Sequence, residues 1–294
     1  MRSVLSAGIL VLSLTATAAH AQTDWKQVEQ VFGREATEQP GGVHRFGLPR
    51  ADLKVTVDGV AIKPALALGS WLAFKEMNGG AMVMGDLVLT EPEINPVMAR
   101  LAEGGIAITA LHNHLLRAQP ATFYLHVEGH GDPGKLAQTL RSALEQSQTP
   151  LALPPASAAE QKAPELDTAA LERVFGRKGK MSGGVYQLAI PRAETVNADG
   201  TEVPASMGTA IAINFQPLDG GRAATTGDLV LRAEEVNPAL HALGEHGLEV
   251  TAIHNHMLRD EPRLFFLHFW GVDKAGKLAE GLKAALDMVN VAKS

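Results

Sequence analysis

Thr109-Ala-Leu-His112-Asn113-His114-Leu-Leu-Arg117, followed by Phe123-Tyr124-Leu125-His126, returns as Thr251-Ala-Ile-His254-Asn255-His256-Met-Leu-Arg259 and Phe265-Phe266-Leu267-His268. The offset is constant, since 254 − 112, 256 − 114 and 268 − 126 are each 142. Six of the eleven histidines therefore fall into two superposable sets, which points to a site built once and duplicated. These segments are rich in β-branched and aromatic residues, so strands are predicted over 106–115 and 122–129. Residues two apart on a strand share a face, which puts Ile106, Ile108, Ala110, His112 and His114 on one side and Asn113 on the other. A hairpin centred on Gln119 sets His126 opposite His112 and Tyr124 opposite His114, with opposed Cβ atoms about 4.5–5.5 Å apart. Three imidazoles then meet on one patch of each copy.

The duplication runs well beyond the histidines. Val31-Phe32-Gly33-Arg34 matches Val174-Phe175-Gly176-Arg177, and Leu48-Pro49-Arg50 stands against Ile190-Pro191-Arg192. Gly85-Asp86-Leu-Val-Leu89 matches Gly227-Asp228-Leu-Val-Leu231, and Glu93-Ile-Asn95-Pro96 matches Glu235-Val-Asn237-Pro238. The expected organisation is a first repeat domain over 22–148, a Pro/Ala-rich linker over 149–164 and a second repeat domain over 165–294. Each repeat is of ordinary domain size, and the linker lets the halves pack as a pseudo-dimer. Within a repeat, short amphipathic helices over 25–32 and 166–175 end at Gly33 and Gly176. Strands follow around 43–48, 53–57, 70–75 and 81–89, then helices over 93–103 and 133–146. This is an α+β class: two tandem homologous domains, each a mostly antiparallel sheet with packed helices.

Residues 1–21 carry one basic residue, an apolar run and Ala19-His20-Ala21 before Gln22, the pattern of a secretory signal peptide. No later segment approaches the roughly 20 apolar residues of a membrane span, so the expectation is a soluble, exported, periplasmic protein. There is no cysteine, so disulfides and thiolate ligands are excluded and any metal site must use His, Asp or Glu. The net charge of −6 disfavours nucleic acid as a partner, because phosphate backbones call for a basic footprint. The sequence has no Gly-x-Ser-x-Gly elbow, P-loop or dinucleotide fingerprint, which leaves serine hydrolase and nucleotide chemistry without support.

Three imidazoles around an open coordination position suit Zn²⁺ and also copper, iron or nickel. The candidate ligands are His112, His114, His126, His254, His256 and His268. A carboxylate common to both copies would be the fourth ligand or general base: Glu93 and Glu235, placed where a strand turns into a helix, or Asp86 and Asp228, whose Gly-Asp setting also fits a plain turn. Three functions compete: a metal-dependent hydrolase, a non-catalytic binding protein for a metal or a small-molecule or cell-envelope ligand, and a structural interaction module with the histidines as a polar cluster. Asn113 and Asn255 read as orienting a ligand or, in preference, satisfying a sheet edge, and Arg117 and Arg259 as solvated or anion-binding side chains.

The set Val-Phe-Gly-Arg, Gly-Asp-Leu-Val-Leu, Glu-x-Asn-Pro, His-Asn-His-x-Leu-Arg and Phe-x-Leu-His-x-x-Gly, all repeated, resembles the LppY/LpqO family of exported bacterial proteins. The likeness spans nearly all of the chain after the leader. It implies a duplicated domain of unknown function and no particular activity. Some members of that family are lipoproteins, whereas this chain lacks the anchoring cysteine.

Overall fold

The protein is described here by a computed structural model covering residues 23–152 and 164–293. The leader and most of the linker, residues 1–22 and 153–163, lie outside the described residues.

The first half runs α1 (Trp25–Phe32), β1 (Thr37–Gln39), β2 (Val43–Pro49), β3 (Thr56–Val57), β4 (Val60–Ala61), α2 (Pro64–Ala67), β5 (Gly69–Met77), β6 (Gly80–Leu89), α3 (Glu91–Glu103), β7 (Ala107–His112), β8 (Phe123–Gly131) and α4 (Pro133–Leu144). The second half repeats it as α5 (Thr168–Phe175), β9 (Lys180–Ser182), β10 (Val185–Pro191), β11 (Asn197–Ala198), β12 (Thr201–Glu202), β13 (Ala210–Leu218), β14 (Arg222–Leu231), α6 (Ala233–Glu245), β15 (Glu249–His254), β16 (Asp260–Glu261), β17 (Phe265–Lys274) and α7 (Ala275–Leu286). Each half builds a six-stranded antiparallel sheet, ordered β1-β2-β5-β6-β8-β7 and, in mirror sequence, β15-β17-β14-β13-β10-β9. The expected α+β class with two similar tandem halves is what the chain adopts.

Local chemistry accounts for the element ends. Gly33 and Gly176 stop α1 and α5 in the left-handed conformation, where a missing Cβ removes the steric cost. Asp58-Gly59 and Asp199-Gly200 turn the β3–β4 and β11–β12 hairpins with positive φ at both residues, the geometry that suits the twist of paired strands. The strand predicted over 53–57 shrinks to the first arm of that small hairpin. Helix α3 begins at Glu91, two residues earlier than expected, so Pro96 sits inside it rather than in its first turn.

One face of each sheet is closed by its own helices. In the first half Phe46, Leu72, Phe74, Val83, Leu125 and Val127 pack with Val28 and Phe32 of α1, Val97 and Leu101 of α3 and Leu140 of α4. The other face is closed by the opposite half. Val55, Val57, Ile62 and Leu66 join Val185, Ala224 and Trp270 in one cluster, while Val196, Ala198, Val203 and Met207 pack in a cluster that includes Val43, Ala73, Met82 and Met84. Hydrogen bonds follow the same exchange: Lys63 N donates to Gln216 Oε1 at 2.9 Å, and Arg45 Nη1 donates to the Ser206 carbonyl at 2.8 Å. The halves thus form a pseudo-dimer in which each lends its connecting segment to its partner's sheet.

Candidate functional site

The histidines stand on the outermost pair of strands of each sheet. β7 pairs antiparallel with β8, Ala110 opposite His126 and His112 opposite Tyr124; β15 and β17 repeat this with Ala252 opposite His268 and His254 opposite Phe266. The expected register, with His126 opposite His112, is therefore off by two. A slip of two conserves the face, so the histidines still point together. The strand also ends at His112, and His114 lies in the turn beyond it. A bulge between Ile108 and Ala110, repeated between Val250 and Ala252, breaks the alternation. Ile108 consequently packs into the helix-side core, not beside His112 as the unbroken period implied.

The bulge residues are a clasp between halves. Thr109 Oγ1 donates to the His256 carbonyl and Thr251 Oγ1 to the His114 carbonyl, both at 2.6 Å. In return Asn255 Nδ2 donates to the Thr109 carbonyl at 2.9 Å and Asn113 Nδ2 to the Thr251 carbonyl at 3.1 Å. A bulge frees a carbonyl from the ladder, and here the amide of the opposite half takes it. The asparagines satisfy a sheet edge, as the sequence suggested.

This clasp merges the two triads into one cluster. The His112 ring stacks on His254 at 3.6 Å between centroids, His114 lies 3.7 Å from His268, and His126 lies 3.8 Å from His256. His112 Nε2 and His268 Nε2 are 3.3 Å apart. The outer faces of His114 and His256 rest on Tyr124 and Phe266 at 3.3 and 3.4 Å. Two sets could hold a metal ion, His112–His254–His268 and His126–His254–His256, with ligand atoms all within 4.8 Å of one another in each. Both sets draw on both halves, which replaces the expected picture of one triad per domain.

Asp86 and Asp228 stand beside the cluster because they pair directly with His126 and His268 across β6–β8 and β14–β17. Asp86 Oδ2 is 3.7 Å from His114 Nε2. Asp228 Oδ2 is 3.2 Å from His256 Nε2 but out of hydrogen-bonding alignment. Burial pushes the Asp86 carboxyl up to about 8; the neighbouring Asp228 adds to this and Arg45 opposes it. Arg45, itself lowered to about 10 by burial, is stacked over Trp71 at 4.0 Å.

Five of the imidazoles are held toward the neutral form. Burial, then the proximity of His268 and His256, lowers His112 to about 2. Burial also drives His114, His126 and His254 far below the ordinary histidine range and lowers His268. Neutral imidazole is the form that offers a lone pair to a metal. The tautomers are set by backbone acceptors: His268 Nδ1 donates to the Gly227 carbonyl at 2.7 Å, His256 Nδ1 to the Gly208 carbonyl at 3.0 Å, and His126 bonds the backbone of Gly85. Such outer partners are the usual companions of metal-bound histidine.

Among the described residues, ten buried side-chain nitrogen and oxygen atoms have no hydrogen-bond partner, and eight of them are here. They are Asp86 Oδ1, Asp228 Oδ1, His112 Nδ1, His114 Nε2, His126 Nε2, His256 Nε2 and both nitrogens of His254. Each such atom costs about 1–3 kcal/mol, so together they rival the roughly 5–15 kcal/mol net stability of a domain. A bound cation removes that cost by taking up the lone pairs. The donor set of imidazoles and carboxylates fits Zn²⁺, copper and related ions.

Other sequence candidates sit elsewhere. Glu93 accepts from Arg50 Nη1 at 2.8 Å and Nη2 at 3.1 Å, and from the Thr90 and Gln148 N–H groups, both at 2.7 Å. Glu235 does the same with Arg192, Arg232 N and Asn290 N. With their lone pairs spent on a buried arginine and a helix start, these glutamates are not placed as bases for the histidines, and Asp86 and Asp228 stand there instead. Arg117 is paired with Asp58 and Glu249, and Arg259 with Asp199. Sequence reasoning passed over Thr109, Thr251, Arg50 and Arg192 as site or framework residues, although each pair carries the same 142-residue offset as the histidines.

A family model described as "Domain of Unknown Function (DUF1259)" matches residues 26–146 and again residues 169–288. The chain belongs to that family, in two copies. The match agrees with the duplicated domain of unknown function implied by the sequence motifs and does not carry the LppY/LpqO name. No curated protein matches the chain. Among solved structures, the trimeric bacterial microcompartment shell protein PduB matches at 14% identity over 87% of this chain and 90% of its own, with a TM-score of 0.22. EtuB from Clostridium kluyveri matches at 8% identity over 86% and 90%, with a TM-score of 0.20. Likeness at that level carries no argument about fold or assembly.

Proposed function

We propose that this two-copy member of the family binds a transition metal, zinc or copper, at one composite centre between its halves. The observation that supports it is the gathering of eight unpaired buried donor atoms around two triads of imidazole nitrogens within 4.8 Å. His112, His254 and His268 form one ligand set and His126, His254 and His256 the other, while His114 approaches Asp86. The test is elemental mass spectrometry on untagged protein, beside a His254→Ala/His268→Ala variant checked for its fold by circular dichroism. Stoichiometric metal that disappears in the variant is expected; no metal, even after incubation with zinc and copper salts, would refute the reading.

Hydrolysis is the catalytic form of the same reading. A zinc ion supplies Lewis acidity and an activated water near neutral pH, and Asp86 and Asp228 are the groups beside the imidazoles able to exchange a proton. A screen of ester, phosphoester and amide substrates with wild type and Asp86→Asn/Asp228→Asn checks it. The non-catalytic alternative, binding of an envelope ligand, draws on Leu111, Leu116, Ile253 and Leu258, four exposed large apolar side chains on the same His-Asn-His segments. The 1–21 leader supports export to the periplasm, which fractionation of expressing cells tests. Among the described residues no helix is long and apolar enough to cross a membrane.

A further inference from the structure

His254 is the residue common to both ligand triads. Among the described residues it is also the one histidine with both ring nitrogens buried and unpaired. Three of its neighbours each have one nitrogen committed to backbone, His268 at Gly227, His256 at Gly208 and His126 at Gly85. Each of those three has a single lone pair left to give. His112, the repeat counterpart of His254, has its Nε2 turned onto His268 Nε2 at 3.3 Å, so these two nitrogens converge on one point. His126 and His256, with rings 3.8 Å apart, present unpaired Nε2 atoms on the other set.

An imidazole common to two ligand sets, with both ring nitrogens unpaired, has one nitrogen to give to each. We propose that the centre is dinuclear, with the His254 ring joining two divalent transition-metal ions, one shared with His112 and His268 and the other with His126 and His256. The inference rests on the metal-binding reading above and adds the number of ions and the link between them. The balance is simple. One ion takes the existing lone pair of the neutral ring, the second takes the pair freed when the N–H proton leaves to solvent, and nothing is oxidised or reduced. Charge favours the arrangement, because the imidazolate and the Asp86 and Asp228 side chains place negative charge beside two divalent ions, Asp86 by releasing its proton to solvent as they bind.

The experiment uses the untagged full chain after chelation, reloaded with Cu²⁺ alone or with equal Cu²⁺ and Zn²⁺. Bound metal is counted by elemental mass spectrometry and the copper is read by electron paramagnetic resonance. Two equivalents are expected, with most of the copper signal lost to antiferromagnetic coupling in the all-copper protein and restored when zinc takes one position. His254→Ala should hold at most one ion and give an uncoupled signal. Two equivalents with a full, uncoupled copper signal would overturn the bridge. A single equivalent would overturn the dinuclear centre while leaving the metal-binding reading intact, and no bound copper or zinc would end both.

Discussion

Glu93→Ala separates a framework carboxylate from a catalytic one. The Arg50 side chain is 1% exposed and Glu93 is 8% exposed, so their ion pair is buried, and four hydrogen bonds converge on the carboxylate. Removing one partner of a buried pair costs about 3–5 kcal/mol, since the other charge stays behind without compensation. Asp52, which also holds Arg50 at 2.9 Å, keeps the loss toward the lower end. At about 2–4 °C per kcal/mol for a chain of this size, the melting temperature should fall by roughly 6–15 °C. Urea unfolding gives the free energy and elemental mass spectrometry the metal content, which should be unchanged in the folded fraction. A loss below about 1 kcal/mol, the range of an exposed pair, would refute the buried-network reading. So would normal stability with the metal gone, which would return Glu93 to the site. The pH dependence has a definite sign. Burial raises the Glu93 carboxyl, but the bonds from Arg50, Thr90 and Gln148 outweigh it and the net shift is downward from 4.5. Its contribution is therefore complete above pH 4.5 and is lost as pH falls through the lower, folded value.

Three further outcomes follow from the site. Thr109→Val removes the hydroxyl that binds the His256 carbonyl and Asn255→Ala strips the Thr109 carbonyl of its donor; each should cost about 1–3 kcal/mol, and a double-mutant cycle should show non-additivity. Acidifying the metal-free protein from pH 6.5 to 5 should destabilise it, because His112, His114, His126 and His254 bind protons in that window only when unfolded, and His268 is lowered in the same direction. Each contributes up to about 1.4 kcal/mol per pH unit, and Asp86, protonated in the fold up to about 8, offsets one of them. Stability flat over that window in urea titrations would contradict the neutral-cluster reading. Gly227→Ala should unfold the second half or abolish metal binding, since a Cβ there would collide with the Ala212 carbonyl oxygen and displace the carbonyl that orients His268; native metal content in a stable variant would refute it.

The duplication and the gathering of His112, His114 and His126 were legible because a constant offset and the spacing of two are read without any knowledge of tertiary contacts. The bulge at Thr109 was not, since a bulge depends on which carbonyl the opposite half needs, and nothing in the local sequence states that. The partner of Glu93 is hidden from the sequence for a related reason. A carboxylate in Glu-x-Asn-Pro reads equally as a reaching side chain or as a helix cap, and the deciding residue, Arg50, lies 43 positions away. The same offset of 43 separates Arg192 from Glu235, so the pairing was encoded in the repeat but not flagged by any motif.

Why the two repeats share one chain follows from where the candidate ligands come from. Each ligand set draws on both repeats, so a single repeat would have to find a second copy before it could close a ligand set. Joining the copies in one chain turns that encounter into an intramolecular event at high effective concentration. It also lets the halves differ. Arg45 near Asp86 is replaced by Gln187 in the second half, Tyr124 by Phe266, and Glu128 by Trp270. A symmetric homodimer would have to carry every such change twice, on both sides of the axis. The fused chain gives His254 two free nitrogens while its counterpart His112 turns one onto His268, an asymmetry that two identical subunits sharing an exact two-fold axis could not hold.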